Sequence, residues 1–184
     1  MARIYMVRHG RAEAGFGDAR DPGLDAMGKE QARVTAKRLA DIGPLPIVSS
    51  PLKRARETAA PLAELWKREP LIEEAVAEIP SQSQSQSLAE RVEWLKRFMA
   101  GSWREAPLAL AQWRENAIAA LAALDEDTVI FSHFIAINVA AGAALADERV
   151  VVFSPDNCSV TIFESEGGRL RLIEQGHEAV TKVN

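Results

Sequence analysis

The sequence predicts an α/β fold, a three-layer sandwich with a mainly parallel central sheet flanked by helices. Three observations predict it. Short apolar runs rich in Val, Ile and Phe alternate with segments of helical periodicity, the pattern of strands joined by crossover helices. The 184 residues are 47% apolar and 26% charged, a balance that buries a core without disulfide or metal support. Finally, three of the apolar runs end in polar residues of one kind: Arg8-His9-Gly10, Ser50 through Arg54, and Ser132-His133. At about 150 residues per domain, this length makes one domain, 1–184, with a helical insertion at about 80–124.

Each element follows in order. Arg3 to Val7, with Ile4, Tyr5 and Val7, reads as a buried strand, and Gly, Asp and Pro make Arg11 to Leu24 a loop. Asp25 can cap a helix in which Met27, Gln31, Val34 and Leu39 recur at roughly helical spacing, and Gly43-Pro44 stops it. Ile47 to Ser49 is a second strand. Ser50-Pro51 then opens a helix, with Ser as N-cap and Pro where its missing N–H costs nothing. Leu52, Ala55, Ala59, Leu62 and Trp66 share its inner face, and Pro61 should kink or split it. Leu71 to Glu73 is a candidate third strand.

Ser81 to Ser87 reads SQSQSQS, a polar linker or lid that buries too little surface to order itself. Ser87 and Glu90 form a capping box ahead of a helix bearing Leu88, Val92, Leu95 and Phe98. A second helix, from about Leu108 to Leu124, places Leu110, Trp113, Ala117, Leu121 and Leu124 at matching intervals. Thr128 to Phe131 is a strand followed by an Ala-rich helix, and Val150 to Phe153 is a further candidate strand. Ser159 to Glu164 and Leu170 to Glu174, turning at Gly167-Gly168, close the chain as a hairpin.

Composition excludes several functions. With 22 basic and 26 acidic residues, a net charge of −4 argues against a nucleic-acid partner while leaving room for a local Arg cluster. A single cysteine, Cys158, excludes a disulfide framework and a multi-thiolate zinc site. Three histidines, His9, His133 and His177, leave too few partners for a His-based metal centre. The apolar run before Arg8 is too short for a signal peptide, and Val129 to Ala146 is broken by Ser132, His133 and Asn138, as a buried strand and helix would be. A cytoplasmic protein with no membrane partner, metal or cofactor is expected. Two copies could pair as a homodimer through apolar faces of the insertion.

In open parallel sheets, ligands bind beyond the carboxyl ends of the strands. The three polar groups would therefore meet on one rim, bringing two arginines and two histidines together on a negatively charged protein. The arginine fork matches a phosphoryl group, and cations repel a metal, so the rim suits an anionic, phosphorylated ligand.

Arg8-His9-Gly10 after an N-terminal strand, SPLKRARETA from Ser50 to Ala59, and Ser132-His133 after a later strand resemble the histidine phosphatase superfamily. That group contains the cofactor-dependent phosphoglycerate mutases and many acid-type phosphatases. The resemblance runs from Ile4 to about Phe163, with little support between Ser81 and Leu124. It implies a phosphoglycerate mutase-like fold and metal-independent hydrolysis of a small phosphorylated metabolite through a phosphohistidine. By position it makes His9 the nucleophile, Arg8 and Arg54 the holders of the phosphoryl oxygens, and His133 a further phosphate donor. Arg54 rather than Arg56 fills the arginine position before Ala. A nucleophilic imidazole must be neutral, and neighbouring guanidinium groups favour that form.

An alkoxide leaving group also needs a carboxylic acid held partly protonated. Glu78 best resembles the family's acid; Glu73, Glu74, Asp18 and Asp21 are alternatives. Two departures bear on the substrate. The family's Glu-Thr and phosphate-binding Asn after RHG give way to Arg11-Ala12-Glu13-Ala14-Gly15, where Arg11 is a candidate compensating charge. Phe134 follows the second histidine where Gly is usual. A protein-phosphohistidine phosphatase, a mutase and a non-catalytic phospho-ligand module are the alternatives. Cys158 is expected as a small buried residue and His177 without a role. The tryptophans are expected in packing, with Trp94 and Trp103 candidates for a substrate entrance.

Overall fold

The computed structural model describes residues 1–13, 21–80 and 87–180. Six strands form one mixed sheet: β1 (Ala2–Arg8), β2 (Ile47–Ser49), β3 (Leu71–Ile72), β4 (Thr128–Ser132), β5 (Val160–Glu166) and β6 (Arg169–Glu174). Their order across the sheet is β3-β2-β4-β1-β5-β6. The first four run parallel, and β5 and β6 add antiparallel to the free side of β1. Gly167 and Gly168 turn the hairpin with φ of 57° and 76°, values that glycine adopts without a Cβ clash.

The helices are α1 (Ala26–Leu39), α2 (Lys53–Trp66), α3 (Leu88–Met99), α4 (Leu108–Ala122) and α5 (Phe134–Leu145). Strand side chains alternate between the two faces. Tyr5, Val7, Ile47, Val129 and Phe131 pack against Ala36 and Leu39 of α1 and Ala59 and Leu62 of α2. Ile4, Met6, Val48 and Ile130 pack on the other face with Leu121 of α4 and Ile137, Ala140 and Ala141 of α5. The result is the expected sandwich. Buried residues on both faces explain why the parallel strands read as continuous apolar runs.

Several local expectations are corrected. On α1 the buried face is Gly28, Ala32, Thr35, Ala36 and Leu39, whereas Met27 and Val34 are exposed; small residues face inward because α1 lies close to the loop after β1. The second helix begins at Lys53 rather than Pro51, and its N-cap residue, Leu52, makes no side-chain cap. Asp21 supplies one from a distant segment, accepting the Lys53 N–H at 2.9 Å. Pro61 lies inside a helix that continues to Trp66, held by the packing of Ala59 and Leu62. Val150 to Phe153 forms no strand. The Asn138 side chain accepts the N–H groups of Val152 (2.7 Å) and Phe153 (3.0 Å), so this segment needs no ladder partner. The capping box forms as expected between Ser87 and Glu90. The remainder of the SQSQSQS run and residues 14–20, including Gly15 and Asp18, lie outside the described residues. No described helix is long and apolar enough to cross a membrane.

Candidate functional site

β1, β4 and β2 are neighbours running in one direction, with Arg8 opposite Ser132 and Ser49 opposite Phe131. The residues after them therefore emerge side by side. His9 N–H bonds to Ser132 O at 3.0 Å and Ser50 N–H to Phe131 O at 3.0 Å, carrying the ladder one step past each strand.

The turn at Gly10 is held from two sides. Gly10 N–H donates to Thr58 Oγ1 at 3.0 Å, and that hydroxyl donates to Arg54 O at 2.6 Å, tying the turn to α2. On the other side it meets α1, where a Cβ on Gly10 would lie 2.6 Å from Gly28 O, and one on Gly28 would lie 2.1 Å from Arg11 O. Only glycine at both positions allows this backbone approach. A strap at 155–159 holds the loop from below. Arg8 Nη1 donates to Pro155 O (2.8 Å) and Asn157 Nδ2 to His9 O (2.9 Å). Cys158 N–H donates to Arg8 O (3.0 Å) and Arg8 N–H to Ser159 O (3.2 Å). Cys158 is buried, as expected, with φ of 57°.

His9 is buried, and its hydrogen bonds assign its tautomer. Nδ1 lies 2.8 Å from Gly10 O, which can only accept, so the proton is on Nδ1. The Nε2 lone pair then accepts Arg54 Nε–H at 3.2 Å. Burial, then the positive charges of Arg54 and Arg8, hold the His9 pKa down at about 3, against the weaker opposing pull of the Gly10 carbonyl. His133 is fully buried as the N-cap residue of α5, its ring 5.2 Å from that of His9. Its Nε2 lies 2.7 Å from Ser50 Oγ. Burial, followed by His9 and the two arginines, keeps its pKa well below the ordinary value. Among the described residues, His133 Nδ1 and Arg8 Nε are buried without a hydrogen-bond partner.

Glu78 stands across from the arginines, also buried. Its oxygens accept Ile79 N–H at 3.0 Å and Ile135 N–H at 3.4 Å. Burial raises its pKa, outweighing those two bonds and the attraction of Arg54 and Arg8. A buried carboxyl beside two guanidinium groups can thus hold or release a proton. Of the other candidate acids, Asp21 accepts Lys53 N–H while its charge still acts on Arg54, Glu73 accepts Ala75 N–H, and Glu74 is exposed.

The structure thus brings Arg8, His9, Arg54, Glu78 and His133 together. Arg11 does not join them, because its Nε pairs with Asp25 Oδ2 at 2.5 Å on the surface. Phe134 packs its ring under the Arg8 guanidinium, 5.1 Å from centroid to Cζ. Trp103 is buried and Trp94 half-buried in a cluster with Phe98 and Trp113 against Phe134 and Ile79. His177 contributes its carbonyl, which accepts Asp156 N–H at 2.8 Å. Sequence reasoning missed Gly28, Thr58, Asn157 and the contact of Ser50 with His133. Thr58 had one signal, its place four residues after Arg54 on a helix. Asn157 had none.

The family model for the histidine phosphatase superfamily (branch 1) matches residues 4–177. Glucosyl-3-phosphoglycerate phosphatase of Mycolicibacterium vanbaalenii is 42% identical over 66 residues, 34% of this chain and 29% of that protein. The chain spans about a third of the length of curated relatives matched at this identity. A probable phosphoglycerate mutase, GpmB of Erwinia tasmaniensis, is 27% identical over 183 residues, covering 88% of this chain and 84% of its own. Phosphoserine phosphatase from Entamoeba histolytica, solved with 3-phosphoglyceric acid, has the same fold at a TM-score of 0.76 and 24% identity over 98% of both chains. The chain belongs to the histidine phosphatase superfamily, branch 1.

Proposed function

We propose that this protein is a metal-independent phosphatase that hydrolyses the phosphomonoester of a small phosphorylated metabolite through a phosphohistidine on His9. The observation that carries this is the state of His9: a buried, neutral imidazole whose Nε2 lone pair accepts a hydrogen bond from Arg54, with Arg8 acting on it through charge. When a phosphoryl oxygen takes over the Arg54 Nε–H, that lone pair is freed to attack phosphorus, and Arg8 and Arg54 match the charge on the phosphoryl oxygens. Their fixed positive charges and the single N–H of neutral His133 do the electrostatic work that phosphoryl transfer requires.

In the first half-reaction His9 Nε2 bonds to phosphorus, the bond from phosphorus to the ester oxygen breaks, and protonated Glu78 delivers its proton to the leaving alkoxide. In the second, Glu78 carboxylate takes a proton from water as the water oxygen bonds to phosphorus and the P–N bond breaks. Inorganic phosphate leaves, His9 is again neutral and Glu78 again protonated. We read residues 80–124 as an insertion in one domain, bounding the leaving-group side through the cluster around Trp103. The substrates in the relatives' names make phosphorylated carboxylic acids the first compounds to try.

The test is hydrolysis of p-nitrophenyl phosphate in excess chelator by wild type and His9→Ala. Turnover that survives chelation in the wild type and vanishes in the variant is expected. Turnover that needs added metal, or that persists without His9, overturns the reading. The Erwinia relative favours a second reading, a mutase. It predicts transfer of the phosphoryl group to a hydroxyl acceptor in preference to water.

A further inference from the structure

Arg8 is held in an unusual way for a buried guanidinium. Among the described residues one side-chain N–H of Arg8 has a protein acceptor, Nη1 on Pro155 O, and Nε is buried without one. A single hydrogen bond leaves the guanidinium plane free to turn about it. The nearby carboxylates, Glu78 and Asp156, act on Arg8 through charge, and Glu78 gives its oxygens to Ile79 and Ile135. Arg11, three positions on, is held by a carboxylate instead, with Nε on Asp25.

The ring of Phe134 lies against the Arg8 guanidinium, 5.1 Å from Cζ, within the range at which an aromatic face attracts a cation. That ring is itself immobilised. Phe134 is 7% exposed, begins α5, and packs with Ile79, Leu95, Trp103 and Leu110. We infer that Phe134 is a positioning residue: its ring orients the Arg8 guanidinium toward the phosphoryl group without neutralising it. A carboxylate would hold the fork as firmly, but it would cancel the charge that the phosphoryl oxygens need. An aromatic face supplies direction and leaves the net charge intact. Phe134 thus acts on phosphate affinity through Arg8.

This inference rests on the phosphate pocket proposed above, and its test reads binding rather than turnover. Phenylalanines carrying one, two and three fluorines at position 134 keep the ring's shape while weakening its attraction for a cation. Affinity for orthovanadate, measured at equilibrium, should fall stepwise along that series, by about three- to thirty-fold overall. Phe134→Leu should lose a similar factor, Phe134→Trp should retain affinity, and neither should matter in an Arg8→Gln background. In the NMR spectrum of the ligand-free protein, the Arg8 side-chain N–H protons should be ring-shifted in wild type and not in Phe134→Leu. A flat fluorination series, an equal loss in the Arg8→Gln background, or unshifted Arg8 protons overturns the inference. A chain that binds vanadate as expected but turns over no phosphoester overturns the phosphatase reading alone.

Discussion

His9 stays neutral at any physiological pH because burial and two neighbouring cations hold its pKa at about 3. The acid limb of a pH–rate profile in the range 5–7 is therefore not the titration of His9. The alkaline limb belongs to Glu78, whose raised pKa lets it keep a proton that an exposed carboxyl would have lost. With an alkyl phosphate, kcat should fall as pH rises through the Glu78 pKa. In Glu78→Gln that limb should disappear and kcat at its optimum should drop by about 10²- to 10⁴-fold, read from initial rates between pH 4 and 9. An undiminished rate would favour a substrate whose leaving group needs no acid, such as a phosphohistidine. Arg8, His9, Arg54 and His133 were legible in the sequence because each ends a strand or sits in a motif. Asn157 was not, and Thr58 only by its spacing from Arg54, since their bonds to the loop after β1 cross 148 and 48 residues.

At the scale of elements, α1 and α2 set the height of the loop after β1. The approach of Gly10 to Gly28 leaves no room for a methyl group, so Gly28→Ala should destabilise the fold by about 1–3 kcal/mol and lower activity with it. Chemical denaturation and the p-nitrophenyl phosphate assay check both. Ser87→Ala removes one half of a capping box and should cost about 1 kcal/mol, confined to α3 and visible as faster amide exchange in its first turn. Boundaries were legible where a local signal dominates, as at Asp25, which caps α1 through Gly28 N–H at 2.7 Å. They were lost where tertiary contacts decide. Pro61 did not split α2, and the apolar residues at 150–153 became a segment capped by Asn138.

Over the whole molecule, three buried titratable groups couple stability to pH. The unfolded chain protonates His9 and His133 near pH 6.5, whereas the folded chain resists protonation far below that value. Their contribution is fully present above pH 6.5 and is lost as pH falls below it, for His9 down to its folded pKa of about 3 and by about 5 kcal/mol at full development. Glu78 works oppositely: its share is present below about pH 4.5 and lost as pH rises through its elevated folded pKa. With two histidines against one carboxyl, Tm should fall on acidification from pH 7 to 4. His9→Asn should make that slope shallower.

The sandwich itself was legible because apolar runs and helical periods alternate along the whole chain. The strap at 155–159 was not, since it has neither period nor motif, only a place in space. Four of the bonds that hold Arg8 and His9 come from residues made some 150 positions later. β1 likewise waits for β4 and β5 to pair with it on either side. During synthesis, then, His9 meets Arg54 and Ser132 first and gains the last of its supports only when residues 155–159 have followed. A chain interrupted before residue 155 would carry the whole motif without the strap that completes its support.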